Sequence, residues 1–272
     1  MTAGSNDAAT IAERFLSARR SATGLAAYPG DMPTSLSEAY AIQDAAIAKW
    51  KRPVIGWKVG RVPPALISRF DTDRLTGPIF SSQLHGAGEG ELEMPIFEHG
   101  FAAGEAEFLL RIGRSPDPDK VRFTLEEAAD LIDAVHVGIE VASSPLRPIN
   151  ALGPVAVISD FGNNNGLVIG AAIPDWRNSG FEEWPVRTLI DGTEVGTGRA
   201  SGFPDGAIGS ARFLLELMAR RGIRLQPGQW ISSGAVTGVH DARPNQLVEA
   251  HFNDQLSVRC KLTAATPQHA SA

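Results

Sequence analysis

The chain has 272 residues, with 25 Lys and Arg against 31 Asp and Glu, a net charge of −6 and 43% hydrophobic residues. An acidic chain without a basic block argues against nucleic acid as a partner, and the hydrophobic content excludes disorder over most of the length. A single cysteine, Cys260, excludes an internal disulfide and a cysteine-based zinc site.

No apolar run approaches the ~18 residues that suggest a membrane span. Met1 to Asp7 carries neither the positive nor the apolar region of a signal peptide. A cytoplasmic protein without a membrane partner is therefore expected. The 28 glycines and 18 prolines point to many tight turns and so to a strand-rich fold.

Along the chain, Ile11, Phe15 and Leu16 share one face of a helix over Ala8 to Arg20, and Ser35 with Glu38 forms a capping box that opens a second helix towards Trp50. Val54 to Val59 reads as a short apolar strand ending at Gly60. The text from there to about Glu98 is rich in Pro and Gly and reads as loop. A strand returns at Ala106 to Ile112, and Thr124 with Glu127 caps a helix expected to run to about Ala134. Val135, Val137, Ile139 and Val141 then alternate with His136, Gly138 and Glu140, the period of a strand. Asp160 to Asn165 is a polar loop before a strand at Leu167 to Ile169. Asp191-Gly192 marks a hairpin, Asp205 opens a helix stopped by Gly222, and Leu247 to Phe252 with Leu256 to Leu262 form a second hairpin around Asn253-Asp254.

Three places carry charge in unusual settings. Glu105 and Glu107 lie two apart in a strand and project from one face, either as a solvated edge or as a pair sharing a cation. Glu140 stands in the apolar segment Val135 to Ala142, where a buried carboxylate needs a positive partner or a raised pKa. Together the three would make an all-oxygen site suited to Mg²⁺ or Mn²⁺. Lys58 is the one ionisable group in Val54 to Gly60; it reads either as a snorkelling side chain beside Trp57 or as a cation for a substrate carboxylate or a general acid/base. His85, His99, His136 and His240 are scattered and could converge only in space. Walker A, His-Glu-x-x-His, Gly-x-Ser-x-Gly and a complete dinucleotide fingerprint are absent from the sequence.

From roughly Glu38 to Leu262 the chain resembles the 2-oxopent-4-enoate hydratase and 4-oxalocrotonate decarboxylase family of the fumarylacetoacetate hydrolase superfamily. The resemblance is carried by Gly56-Trp-Lys-Val-Gly60, the Glu105-Ala-Glu107 pair, Gly138-Ile-Glu140-Val, the Asp160 loop leading into Gly166-Leu-Val-Ile-Gly170, the helix after Asp205, and Pro227 to Gly238, in that order and spacing. It implies an α+β fold, a strongly curved mixed β-roll with peripheral helices, and a homo-oligomer. It divides the chain into an N-terminal helical segment at 1–52 packed on the main domain, a metal-binding catalytic β-roll at 53–263 and a frayed tail at 264–272. It implies that Glu105, Glu107 and Glu140 hold Mg²⁺ or Mn²⁺, that Lys58 is catalytic, and that Asn163, Asn164, Ser233 and Thr237 bind substrate.

The activity implied is addition of water to a 2-hydroxydienoate, through its 2-oxo-3-enoate tautomer, giving a 4-hydroxy-2-oxo acid, as in aromatic meta-cleavage catabolism. Alternatives are a 4-oxalocrotonate-type decarboxylase, a C–C hydrolase of the same superfamily, or a scaffold that keeps the metal site without activity. Leu75 stands where the family carries an acidic residue that helps activate water, with Asp71 and Asp73 nearby but out of register. Asn163 and Asn164 replace two hydroxyl residues, and Gly104 replaces a larger one. Leu75, Phe80, Phe161 and Phe203 are the expected walls for a substrate tail.

Overall fold

The protein is described from a computed structural model covering residues 7–88 and 92–268. Two helices come first, α1 (Ala8–Ser21) and α2 (Leu36–Trp50), followed by strand β1 (Val54–Arg61). Asp7 caps α1 through the Thr10 amide, and Ser35 caps α2 through the Glu38 amide. The stretch expected as loop holds α3 (Pro64–Phe70), β2 (Arg74–Phe80), β3 (Leu84–Gly86) and β4 (Glu93–Ile96). All seven residues of β2 are buried, so no alternation announces it, and Gly77-Pro78 imitates a turn. Pro78 is tolerated because β2 is the edge of its sheet.

The long strands β5 (Phe101–Ile112) and β6 (Ile132–Ser144) flank the short helix α4 (Leu125–Asp130). The capping box of Thr124 and Glu127 forms as expected, but α4 ends well before Ala134 because Ile132 already pairs with Ile112 of β5. Then come α5 (Ile149–Leu152), α6 (Pro154–Ser159), β7 (Asn164–Ala172), the hairpin β8 (Val186–Ile190) and β9 (Thr193–Gly198), and α7 (Gly206–Arg220). The chain closes with β10 (Trp230–Ser232), β11 (His240–Asp241), β12 (Leu247–Phe252) and β13 (Leu256–Ala264). Asn253 and Asp254 both take left-handed φ in the β12–β13 turn, as the Asn-Asp pair suggests.

The strands form two sheets. One runs β2-β1-β10-β5-β6-β7-β3, with β11 also on β5, and curls strongly into a half-barrel; the other runs β4-β13-β12-β8-β9. Both mix parallel and antiparallel pairs: β1–β10, β3–β7 and β13–β4 are parallel. The main core lies between the sheets, where Ala106, Phe108 and Leu110 of β5 and Val135, Val137, Ile139 and Val141 of β6 meet Val248, Ala250 and Phe252 of β12 and Val258, Cys260 and Leu262 of β13. Burial pushes the Cys260 thiol up to about 12. This is an α+β fold with a strongly curved mixed β-roll and peripheral helices.

The first two helices pack through Ile11, Phe15, Leu16, Ile42 and Trp50 against Phe80, Leu146 and Phe161. Of the tail expected to fray from 264, Ala264 closes β13 and Gln268 hydrogen-bonds both the Arg20 carbonyl and the Arg52 side chain. Residues 269–272 lie outside the described residues. No helix among the described residues is long and apolar enough to cross a membrane.

Candidate metal centre and active site

The strand period decides which side chains face away from the core. With the even residues of β5 and the odd residues of β6 turned to the second sheet, Glu105, Glu107 and Glu140 project together from the opposite face. Register completes the cluster: Glu105 pairs directly with Glu140, and Glu107 with Gly138. A slip of one residue on either strand would send a glutamate into the apolar core. Gly104 faces that core, where a Cβ would come 2.6 Å from a Val248 methyl. The small residue is thus matched to the second sheet and leaves the carboxylate face unaltered.

The three glutamates are 5%, 0% and 0% exposed, and each offers an oxygen within 4.8 Å of the others. Glu107 Oε2 accepts from the Ser232 hydroxyl and from the Gly234 amide at 2.9 Å, while Oε1 accepts no hydrogen bond. Asn164 Nδ2 donates to Glu140 Oε1 at 2.8 Å, and Glu140 Oε2 faces Lys58 Nζ at 3.2 Å. Burial, then the Glu140 charge, pushes the Glu105 carboxyl up to about 8. The same causes, with Glu105 added, raise Glu107 well above the carboxylate range. Burial pulls the Lys58 ammonium down, but the three carboxylates, Glu140 foremost, outweigh it and hold it above the usual lysine range.

A divalent cation fits this cluster. Three buried carboxylates face one ammonium, and Glu107 Oε1 is a buried acceptor aimed at its neighbours without a donor. Unmatched buried carboxylate oxygens are costly, and hard cations such as Mg²⁺ or Mn²⁺ take such all-oxygen sets. The outer contacts from Ser232, Gly234 and Asn164 orient the carboxylates, as a metal site requires. Among the described residues this is the one cluster of potential metal ligands, and His85, His99, His136 and His240 do not join it. His136 instead bonds the Gly170 carbonyl, and His240 bonds Thr237.

The polar loop after α6 covers Lys58. Phe161, Gly162 and Asn163 all take left-handed φ, a costly conformation for a bulky phenylalanine. Arg19 of α1 holds the loop with a bidentate pair to Asp160, at 2.6 and 2.9 Å, and Ser144 adds a hydroxyl. A Cβ at Gly162 would stand 3.0 Å from Lys58 Cδ, so glycine lets the loop close over the lysine stem.

Above the cluster lies a cavity of about 730 Å³, with Lys58, Glu105 and Glu107 in its lining. Asn163 and Thr237 line it too; Asn163 Oδ1 is buried without a partner, and the Thr237 hydroxyl bonds Thr188 and His240. Asn164 and Ser233 lie outside the lining: Asn164 is committed to Glu140, and the Ser233 hydroxyl is buried without a hydrogen bond. Leu75 and Phe203 are walls as expected. Phe80 and Phe161 are not; they stack with Trp50 in the helical cluster, their rings 4.9 Å apart. Asp71 and Asp73 do not reach the cavity, since Asp71 caps α3 and Asp73 pairs with Arg74, so neither stands in for the acid missing at Leu75. Ser232, which orients Glu107, escapes sequence reading because its strand is only three residues long.

No family model matches the chain. It is 26% identical over 267 residues to a 2-keto-4-pentenoate hydratase of Burkholderia vietnamiensis, covering 95% of this chain and 98% of that one. A second 2-keto-4-pentenoate hydratase, from Paraburkholderia xenovorans, is 24% identical over 229 residues, 83% of each chain. The 4-oxalocrotonate decarboxylase of Pseudomonas putida G7, solved with magnesium and adipate, superposes with a TM-score of 0.77 over 94% of this chain and 97% of its own, at 17% identity. The chain is similar over most of its length to proteins of this hydratase and decarboxylase family. Its fold is shared more widely in the fumarylacetoacetate hydrolase superfamily. A fumarylpyruvate hydrolase of Pseudomonas aeruginosa, solved with Mn²⁺ and pyruvate, superposes with a TM-score of 0.56 over 79% of this chain and 91% of that one, at 16% identity.

Proposed function

We propose that the chain is a divalent-metal-dependent hydro-lyase that adds water to a 2-hydroxydienoate, by way of the 2-oxo-3-enoate tautomer, to give a 4-hydroxy-2-oxo acid. The observation that carries the reading is the buried Glu105, Glu107 and Glu140 cluster beside Lys58 under a cavity of substrate size. Mg²⁺ or Mn²⁺, held by the three glutamates, would supply the electrophilic pull on the 2-oxo acid. Lys58 holds a proton at Nζ beside the same carboxylates, where it balances negative charge gathering on the 2-oxo oxygen. Asn163 and Thr237 orient the substrate from the cavity wall, while Asn164 acts through Glu140. The same reading carries a cytoplasmic homo-oligomer, for which sedimentation showing a monomer would be the contrary result.

A second reading, decarboxylation, is favoured by Leu75. The cavity lining contains no carboxylate besides Glu105 and Glu107, and losing CO₂ requires no base for water. The deciding assay offers 2-hydroxydienoates of several lengths, with and without a terminal carboxylate, together with Mg²⁺ or Mn²⁺. Loss of dienol absorbance without CO₂ signals hydration, and loss with CO₂ signals decarboxylation. No turnover of any of them, with the ion bound, removes the hydratase and decarboxylase readings.

A further inference from the structure

His240 stands apart from the glutamate cluster, yet its contacts lead back to the cavity. Gly238 takes a left-handed φ of 96°, and past this bend His240 Nε2 lies 3.1 Å from the hydroxyl of Thr237, a residue of the cavity lining. The second neighbour of that hydroxyl is Thr188 Oγ1 of β8, at 2.7 Å. Gly196 of β9 makes room for the imidazole: a Cβ there would stand 2.3 Å from both Nε2 and Cε1. The segment is tied to the strand of the metal-site glutamates as well. The Val236 amide donates to the Ala106 carbonyl, and His240 pairs with Gly104, so Thr237 is held between contacts to the two residues that flank Glu105.

Counting protons shows what the imidazole decides. Thr188 is completely buried, and Thr237 is the one polar partner of its hydroxyl among the described residues. A buried hydroxyl with one oxygen neighbour donates to it, since its proton would otherwise stay unpaired. Thr237 Oγ1 therefore accepts from Thr188, and its own proton has two possible destinations. If Nε2 is bare, the proton goes to His240 and a ligand in the cavity meets only a lone pair, which repels an anion. If Nε2 carries a proton, His240 donates, both lone pairs of Thr237 are taken, and the Thr237 proton is left for the ligand. An acid anion in the cavity requires the second arrangement.

We propose that His240 is a positioning residue: donating from Nε2, it turns the Thr237 hydroxyl into a hydrogen-bond donor for an anionic oxygen of the substrate. The proposal rests on the reading of Thr237 as a substrate contact in a 2-oxo-acid site. His240 itself touches neither the substrate nor the ion.

The test needs no turnover. With Mg²⁺ present, the full chain is titrated with 2-oxopentanoate. Thr237→Val and His240→Leu should each weaken binding about tenfold, the effect of losing one hydrogen bond to a charged group. The double variant should bind no more weakly than either single one, because the histidine acts only through the hydroxyl. His240→Gln, whose amide can donate in place of Nε2, should restore most of the affinity. In the complex, ¹⁵N spectra of labelled histidine should show a proton on His240 Nε2. Loss in Thr237→Val with His240→Leu unchanged overturns the proposal and leaves the 2-oxo-acid reading in place. Additive losses, a loss that Gln does not relieve, or a bare Nε2 in the complex overturn it too. If 2-oxopentanoate does not bind the unaltered chain, the reading of the site fails and the proposal with it. The Mg²⁺ affinity of the ligand-free variants should stay within about twofold, and a larger change would show that His240 acts through the metal site instead. Should His240→Leu not fold, His240→Asn, too short to reach Thr237, takes its place in the cycle.

Discussion

Glu140 stands opposite Glu105 in the ladder and faces the Lys58 ammonium, so its replacement acts on the ion and on the lysine together. Glu140→Ala should weaken Mg²⁺ or Mn²⁺ binding by more than about 100-fold and abolish turnover. Asn164→Ala, which removes only a donor to Glu140, should cost about 10–100-fold in ion affinity, the usual effect of losing an outer partner. Titration of both variants checks the order, and equal effects would show that Glu140 does not touch the ion. The raised Glu105 and Glu107 carboxyls add a pH dependence. Between the ordinary value of 4.5 and about 8, the ion-free folded chain keeps a Glu105 proton that the unfolded chain has released, so its stability should fall as pH rises through that window. A saturating ion replaces those protons and should flatten the trend. Urea denaturation at several pH values, with and without Mg²⁺, reads the difference; ion-free stability rising over the window would contradict the burial of the cluster.

Among the elements, α1 is tied to the site through one buried contact. Arg19 is 3% exposed and reaches across the molecule to Asp160, at the start of the left-handed turn over Lys58. Arg19→Leu leaves Asp160 buried without its counter-charge, at a cost of about 3–5 kcal/mol. It should also loosen the loop, raising KM through Asn163. Denaturant unfolding and kinetics on the same variant check both, and a drop in stability with KM unchanged would separate the helix from the site. How legible these elements are follows from their periods. The alternation of β6 is visible because one face is apolar and the other carries His136, Gly138 and Glu140, and the face of the three glutamates follows from it. The buried strand β2, by contrast, has no polar face to set a period, and its Gly77-Pro78 pair looks like a bend. The Arg19–Asp160 pair spans 141 positions, and nothing local in either residue announces the other.

On the scale of the whole molecule, the curl of the first sheet gathers residues from distant elements around one cavity: Lys58 and Arg61 from β1, Glu105 and Glu107 from β5, Arg199 from the turn after β9 and Thr237 from the segment after β10. Motif order could place the metal floor, because each of its parts lies on a recognisable strand. Arg61 and Arg199 were not legible as cavity residues, because they look like ordinary surface charges until the fold brings them to the same lining. The second sheet encloses Cys260, completely buried and paired in register with Val248. As the one thiol in the chain, it is a natural clock for opening of the sandwich. A thiol reagent should leave the native protein unmodified and react at a rate set by the fraction of molecules with β12 and β13 parted. Bound Mg²⁺ lowers that fraction by mass action, so labelling should slow as the ion is added, and rapid ion-independent labelling would show that the sheet breathes locally. One sulfur atom, remote from the chemistry, thereby registers occupancy of the centre on the far side of the sheet.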